Sequence, residues 1–236
     1  MALAELPRIE RLDLATVTLP ADHPAADLGR SVAVHGFLID HPDGAILVDT
    51  GVGFGNAFVD DLYRPSRAEL GELLARVGVA LDDVVAVVNS HLHFDHCGQN
   101  PALFGGATAF YAQAAELDAV EADRTYTDAT WALAPAAQRR IVQGDEPLAE
   151  GVTILATPGH TAGHQSVLVE AAGRRVVIGG QVVWHAEELV SEVASPANVD
   201  PIPELQAAAV ESIRRLKALR PEVVHLSHCP AHVPVP

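Results

Sequence analysis

Residues 89–100 read NSHLHFDHCGQN and follow directly on the apolar run VVAVV at 84–88. Three histidines and one aspartate, His91, His93, Asp95 and His96, fall within six positions. His91 and His93 are alternate residues, so in an extended segment they point the same way. A tight turn at Phe94 and Asp95 then swings Asp95 and His96 round to a second point. Two ligand groups on one short loop can hold two neighbouring cations, and a pair of divalent ions about 3.5–4 Å apart is a familiar arrangement for hydrolysis. The competing reading is loop histidines that only cap or pack. Four ligand-type side chains crowded at a strand end argue against it.

Further donors stand at other expected strand ends. TPGHTAGHQS (157–166) supplies His160 and His164, and HLSHCP (225–230) supplies His228. Imidazole is the commonest zinc ligand, and nitrogen, sulfur and carboxylate donors suit that ion. The two cysteines, Cys97 and Cys229, follow His96 and His228. Neighbours in an extended chain point opposite ways, so each thiol is expected to face away from the metal its histidine binds. Two cysteines are too few for a disulfide framework.

Around these motifs, alternating strands are expected at RLDLATVTL (11–19), SVAVHGFLID (31–40) and GAILVDTG (44–51), the last two joined by the turn HPDG. Residues 51–65 read as a long Gly-rich loop. Residues 66–78 read as a helix with Leu70, Leu73, Leu74 and Val77 on one face and a capping box from Ser66 and Glu69. Strands at 82–90 and 107–112 and a helix at 113–122 precede an irregular stretch with Tyr126 and Trp131. Then come RRIVQ and strands at 151–160, 164–172 and 174–184, a helix at 201–219 and a last strand at 222–230. Two blocks, each of several strands and then a helix, predict a two-sheet core with helices outside, in one domain over 1–236.

The chain has 236 residues, 49% hydrophobic and 19% charged, enough to build a sizeable core. Its net charge of −16 repels phosphate backbones, which sets nucleic acid aside as a partner, and argues against anionic membranes. The N-terminus carries Glu5 and Arg8 and does not read as a secretory signal. No apolar run reaches the roughly 18 residues a membrane helix needs. A cytoplasmic protein with a small-molecule substrate is expected, with a homodimer allowed.

HLHFDH, then TPGHTAGH, then a final strand with HLSHCP, resembles the metallo-β-lactamase-fold hydrolases, from ILVDTG at 46–51 to His228. HFDHCGQN with TPGHTAGHQS is most similar to the branch that opens acyl-homoserine lactones. The resemblance implies an α/β fold, an αββα sandwich of two mixed sheets with helices on the outer faces. It implies one metal on His91, His93 and His160 and another on Asp95, His96 and His228, with zinc as the expected ion and iron or manganese as alternatives. Asp49 would orient the ligand loops by hydrogen bonding, and His164 matches a supporting position.

One element departs from the family. A Gly-Asp strand end supplies a carboxylate that bridges the two metals; here VVIGGQVVW (176–184) puts Gln181 in that place. An amide is neutral and offers one carbonyl oxygen and an NH₂ that cannot bind a cation. The second site is therefore expected to be weakened. One tight ion, two ions with Gln181 binding through its oxygen, and a degraded, non-catalytic ligand binder all stay open.

The implied chemistry is attack on a lactone carbonyl by hydroxide formed when a bound dication lowers the pKa of its water towards ~7. Asp95 would orient the water and pass its proton to the leaving group. Thioester or other ester hydrolysis is the alternative within the fold. Phe54, Phe58, Tyr63, Tyr126, Trp131, Trp184 and His185 are candidates for the substrate wall, and His185 also for a replacement ligand beside Gln181. No G-x-S-x-G motif supports a metal-free nucleophile.

Overall fold

The structure, a computed structural model, describes residues 3, 5–123, 126–229 and 233–234. Pro230, the end of the expected last strand, and His232 lie outside the described residues. Among these, one sheet holds β1 (Arg8–Thr18), β2 (Ser31–His41), β3 (Gly44–Val48), β4 (Ser66–Arg67), β5 (Val84–Val88), β6 (Ala109–Gln113) and β7 (Arg139–Val142), in the order β4-β1-β2-β3-β5-β6-β7. The other holds β8 (Glu146–Ala149), β9 (Val152–Ala156), β10 (Gln165–Ala171), β11 (Arg174–Ile178), β12 (Val223–His225) and β13 (Val233–Pro234), in the order β13-β12-β11-β10-β9-β8. Both sheets are mixed: β3, β5, β6 and β7 run parallel, as do β11 and β12, and the remaining pairs are antiparallel. The helices are α1 (Ala57–Tyr63), α2 (Leu70–Arg76), α3 (Phe94–Cys97), α4 (Ala114–Ala122), α5 (Ala129–Ala132), α6 (Ala186–Ser191) and α7 (Pro203–Ala218).

Strand periodicity sorts the side chains into layers. Successive residues of a strand face opposite sides. Phe37, Ile39, Ile46, Val48 and Val88 therefore point from the first sheet to the same apolar layer as Val152, Ile154, Val167, Val169 and Ile178 from the second. Their neighbours Leu38, Leu47 and Val87 face the other way, onto Leu70 and Leu74 of α2 and Leu117 of α4. On the far side Leu155, Leu168, Val177 and Val224 meet Ala209, Ile213 and Leu216 of α7. The result is the expected αββα stack. Each fully buried Leu or Ile in it contributes about 1.5–3 kcal/mol of transfer free energy.

Three local expectations are corrected. Ser66 does not cap a helix: Ser66 and Arg67 pair with Thr16 and Ala15 as an edge strand. Helix α2 starts later, after Glu69, with no side-chain cap. The loop at 51–65 contains α1, capped by Asn56, whose Oδ1 accepts from Val59 N at 3.2 Å. The apolar run at 174–184 is not one strand. It ends at Ile178 and turns at Gly180 (φ 60), while Val182 and Val183 stay apolar because they pack into the α7 layer.

Candidate metal centre

The motif residues sit just beyond the C-terminal ends of β3, β5, β9, β11 and β12, which brings them to one edge of the sandwich. After β5 the chain leaves the sheet at Asn89. The loop closes on itself: Thr50 Oγ1 donates to Asn100 Oδ1 at 2.9 Å, and Asn100 Nδ2 donates to Asn89 Oδ1 at 3.0 Å. One turn of helix, α3, then replaces the expected tight turn and carries Asp95 and His96 to a second point. The loop of His160 lies against α7. A Cβ on Gly159 (φ 154) would sit 2.5 Å from Ala209 Cα, so only glycine admits this approach.

His91, His93 and His160 converge. His91 Nε2 lies 3.0 Å from His93 Nδ1 and 3.1 Å from His160 Nε2, and His160 Nε2 lies 3.1 Å from His93 Nδ1. The outer nitrogens of His160 and His91 are engaged elsewhere. His160 Nδ1 donates to the Asn198 carbonyl at 2.7 Å, and His91 Nδ1 meets Ser90 Oγ at 3.1 Å. Burial pushes His93 down to about 4 and lowers His91 and His160 well below the usual histidine range, with the neighbouring histidines adding to the effect on His91 and His160. Three neutral imidazoles thus bring ring nitrogens to one point. A tetrahedral ion with Zn–N of about 2.0–2.1 Å holds its nitrogens about 3.3 Å apart, so this donor set fits such an ion.

Beside it, Asp95, His96 and His228 form a second group. His96 Nε2 is 3.3 Å from His228 Nε2, and Asp95 Oδ2 is 3.6 Å and 3.7 Å from the two rings. Burial works against the Asp95 carboxylate, but His96, His228 and His93 hold it below the usual range. Burial likewise opposes a charge on His96, yet Asp95 and Asp49 raise it to about 9. His228 is held near 4, chiefly by burial. An acid and two imidazoles also suit a divalent ion. Gln181 adjoins this group, with Oε1 2.9 Å from His228 Nε2.

The supporting residues follow from these contacts. Asp49 (φ 62) takes a left-handed conformation, which Asp adopts more readily than most residues. Its Oδ1 accepts from Ser90 N at 2.7 Å, and its Oδ2 lies 2.8 Å from both Ser90 Oγ and His96 Nδ1. His164 is not in either ligand group. Its Nδ1 meets the Thr157 carbonyl at 3.0 Å and its Nε2 accepts Gln181 N at 3.1 Å, so it braces the Gln181 turn. Glu116 and Asn198 carry no local signal in the sequence. Glu116 Oε2 accepts from Leu92 N and Tyr126 OH, both at 2.8 Å, while Oε1 accepts from Thr161 Oγ1 and from Gly163 N at 3.1 Å.

Cys97 faces away from both groups, its Sγ 3.3 Å from the His93 carbonyl and 3.4 Å from that of Leu92. Burial raises its pKa far above the usual thiol range. Cys229 packs against the α7 layer.

A cavity of about 1200 Å³ opens onto His93, Asp95, His160, Gln181 and His228. Phe58, Tyr63, Tyr126 and Trp184 line it. Tyr126 packs on His93 with centroids 4.7 Å apart, and Trp184 on His228 at 5.0 Å. Phe54, Trp131 and His185 are not on the wall. Phe54 is turned to solvent with the Arg67 guanidinium over its ring at 4.9 Å. Trp131 is buried against Gly53. His185 precedes α6, where its backbone N–H donates to Glu188 Oε1 at 2.9 Å, and its ring belongs to neither donor group. His23 also lines the cavity and carries no local signal in the sequence.

Residues 30–228 match the sequence profile described as "Metallo-beta-lactamase superfamily". The chain belongs to this superfamily. Within it, an N-acyl homoserine lactonase from a Bacillus species is 36% identical over 193 residues, covering 77% of this chain and 74% of the relative. A probable metallo-hydrolase from Mycobacterium tuberculosis is 28% identical over 187 residues, covering 66% and 59%. The structure of AiiA from B. thuringiensis, in a mutant form with N-decanoyl-L-homoserine bound at the active site, superposes with a TM-score of 0.78 at 27% identity. That superposition covers 98% of this chain and 95% of the other. An N-acyl homoserine lactone hydrolase with N-hexanoyl-L-homoserine at its catalytic metal centre gives the same TM-score, identity and coverage. Membership in the superfamily accords with the two-sheet fold and with the clustered donors at one sheet edge. Among the described residues no helix is long and apolar enough to cross a membrane.

Proposed function

We propose that this chain is a metal-dependent hydrolase that opens the ring of N-acyl homoserine lactones, acting as one domain over residues 1–236. The observation that carries the reading is the convergence of three imidazole nitrogens, 3.0–3.1 Å apart, beside an acid and two further imidazoles on one cavity wall. The lactonase relatives supply the substrate class.

His91, His93 and His160 would hold one divalent ion, and Asp95, His96 and His228 its neighbour. Zinc suits the donors best, with iron and manganese as alternatives. Such an ion supplies Lewis acidity and an acidified water at neutral pH. Asp95, held as a carboxylate, takes up a proton and returns it to the departing alkoxide of the lactone. The hydroxyl of Tyr126 is committed to Glu116, so the ring serves as a wall over His93. Val17, Leu19, Val32 and Phe58 give the cavity an apolar side for an acyl chain, worth about 0.8 kcal/mol per buried CH₂.

A second reading rests on Gln181: a site that binds lactone without turning it over. The test is incubation of the purified chain with N-hexanoyl and N-decanoyl homoserine lactones, a thioester and a β-lactam, with zinc, manganese or iron added, followed by product chromatography. Ring opening of the lactones, abolished by chelation and restored by metal, is expected. Metal-dependent lactone binding without product supports the second reading. Preferred thioester cleavage moves the substrate class, and neither binding nor turnover of any compound sinks both readings.

A further inference from the structure

Gln181 is 4% exposed, and the polarity of its side-chain amide is fixed from outside. Asn198 Nδ2 donates to the Gln181 backbone carbonyl at 3.2 Å, which leaves Asn198 Oδ1 facing the Gln181 side chain. That oxygen only accepts, so it takes Gln181 Nε2 as donor, at 3.1 Å. The flipped amide would set oxygen against oxygen. Gln181 Oε1 is therefore turned inward, 2.9 Å from His228 Nε2. His228 Nδ1 donates to the Ala33 carbonyl at 2.7 Å, so in the neutral ring Nε2 presents a lone pair. Without a cation an imidazole proton holds this contact, and the His96 ring also bonds the same amide; with a cation between them all of these atoms can turn lone pairs to it. His96 Nε2, 3.3 Å from His228 Nε2, and Asp95 Oδ2, 3.7 Å from it, bound the same point.

We propose that Gln181 is the fourth protein ligand, through its amide oxygen, of a divalent cation held by Asp95, His96 and His228, and that Asn198 is the positioning residue that keeps this oxygen on the cation. The inference rests on the metal-hydrolase reading above and goes beyond it in naming how a neutral side chain completes the second site. Asn198 serves both ions by separate means. Its backbone carbonyl orients His160, and its side chain orients Gln181. Replacing the side chain therefore affects the second ion alone. An amide oxygen is an accepted ligand for divalent cations but adds no negative charge, so a carboxylate of the same length binds the ion more tightly.

The test is equilibrium dialysis of the full chain against zinc and cobalt(II), with bound metal counted by emission spectroscopy and the cobalt absorption bands recorded for each ion. The wild type is expected to bind two ions. Gln181→Leu should bind one, with the first ion's affinity and cobalt bands unchanged. Gln181→Glu adds the missing negative charge and, with the Asn198 amide turned so that its NH₂ donates to the new oxygen, should hold the second ion more tightly. Asn198→Leu should weaken the second ion about 10–100-fold, the usual effect of losing a ligand-orienting partner. Asn198→Asp keeps the acceptor for Gln181 Nε2 but loses the donor to the Gln181 carbonyl, so it should weaken the second ion less than Asn198→Leu does. A second ion bound equally by the wild type, Gln181→Leu and Gln181→Glu overturns the proposal. A single ion in the wild type together with lactone hydrolysis also overturns it, and leaves the hydrolase reading standing. No ion at all and no hydrolysis removes both.

Discussion

Glu116 accepts the backbone N–H of Leu92 at 2.8 Å, and Leu92 lies between His91 and His93. The other oxygen of the same carboxylate holds Thr161 and Gly163, next to His160. One buried acid thus ties together the two loops that carry the three converging histidines. Glu116→Ala would leave buried donors at Leu92, Gly163 and Thr161 without an acceptor, at about 1–3 kcal/mol each. The loss should be at least about 3 kcal/mol, or a fall in Tm of about 6–12 °C at the sensitivity usual for this chain size. Calorimetry of the variant measures it, and an unchanged Tm would show that the clamp carries no load.

Close contact of the His160 loop with α7 makes Gly159 the next position to test. Gly159→Ala would push a methyl group to within 2.5 Å of Ala209 Cα at φ 154, so the loop must move. His160 moves with it and the three nitrogens lose their common point. We expect a loss of about 1–3 kcal/mol from backbone strain, and a fall in metal affinity. Thermal unfolding with and without added zinc separates the two effects: equal Tm shifts in both states would mean that only the fold was harmed.

How much of this was legible in the sequence depends on the range of the contacts. His91, His93, Asp95 and His96 were readable because four ligand-type side chains crowd into six positions directly after an apolar strand, which is a local signal. The layers followed from period-two patterns in β2, β3, β9 and β10. Helix α1 was not readable, because GVGFG ahead of it looks like a loop and its cap, Asn56, stands alone. Ser66 and Glu69 had the spacing of a cap, but pairing with β1 claimed Ser66 for an edge strand. Glu116 and Asn198 act only through tertiary contacts, and nothing in QAAE or SPAN distinguishes them from surface residues.

A cation between three ring nitrogens about 3 Å apart ties their two loops together, so metal removal should loosen the chain. Ligand at about 100 times its Kd stabilises the folded state by about 2.7 kcal/mol. Stripping the protein with a chelator should then lower Tm by about 5–11 °C. A scan of the stripped chain titrated with zinc checks this, and a Tm indifferent to zinc would count against ligation by these histidines.

Phe58 is 69% exposed yet lines the cavity, so its ring is free to cover a bound acyl chain. Phe58→Ala should cost about 1–2 kcal/mol of binding for long chains, from the apolar area left uncovered. That is roughly a 5–30-fold rise in KM for an N-decanoyl lactone. An N-butyryl lactone, too short to reach the ring, should be affected far less, and kcat should hold for both. Equal effects on the two substrates would place the acyl chain elsewhere.

Asp49 separates the two proposed ions by a different route. Its carboxylate lies 2.8 Å from His96 Nδ1, whereas its contact with the first group runs through Ser90. Asp49→Asn keeps the size of the side chain and tolerates the left-handed backbone, since Asn adopts φ near 62 as readily as Asp. What it removes is the charge that makes the His96 ring a stronger donor to a cation. Affinity for the second ion should fall about 10–100-fold, with the first ion nearly unchanged. Competition against a chromophoric chelator resolves the two dissociation constants. A loss shared equally by both ions would mean that Asp49 supports the whole loop, and the assignment to His96 would fail.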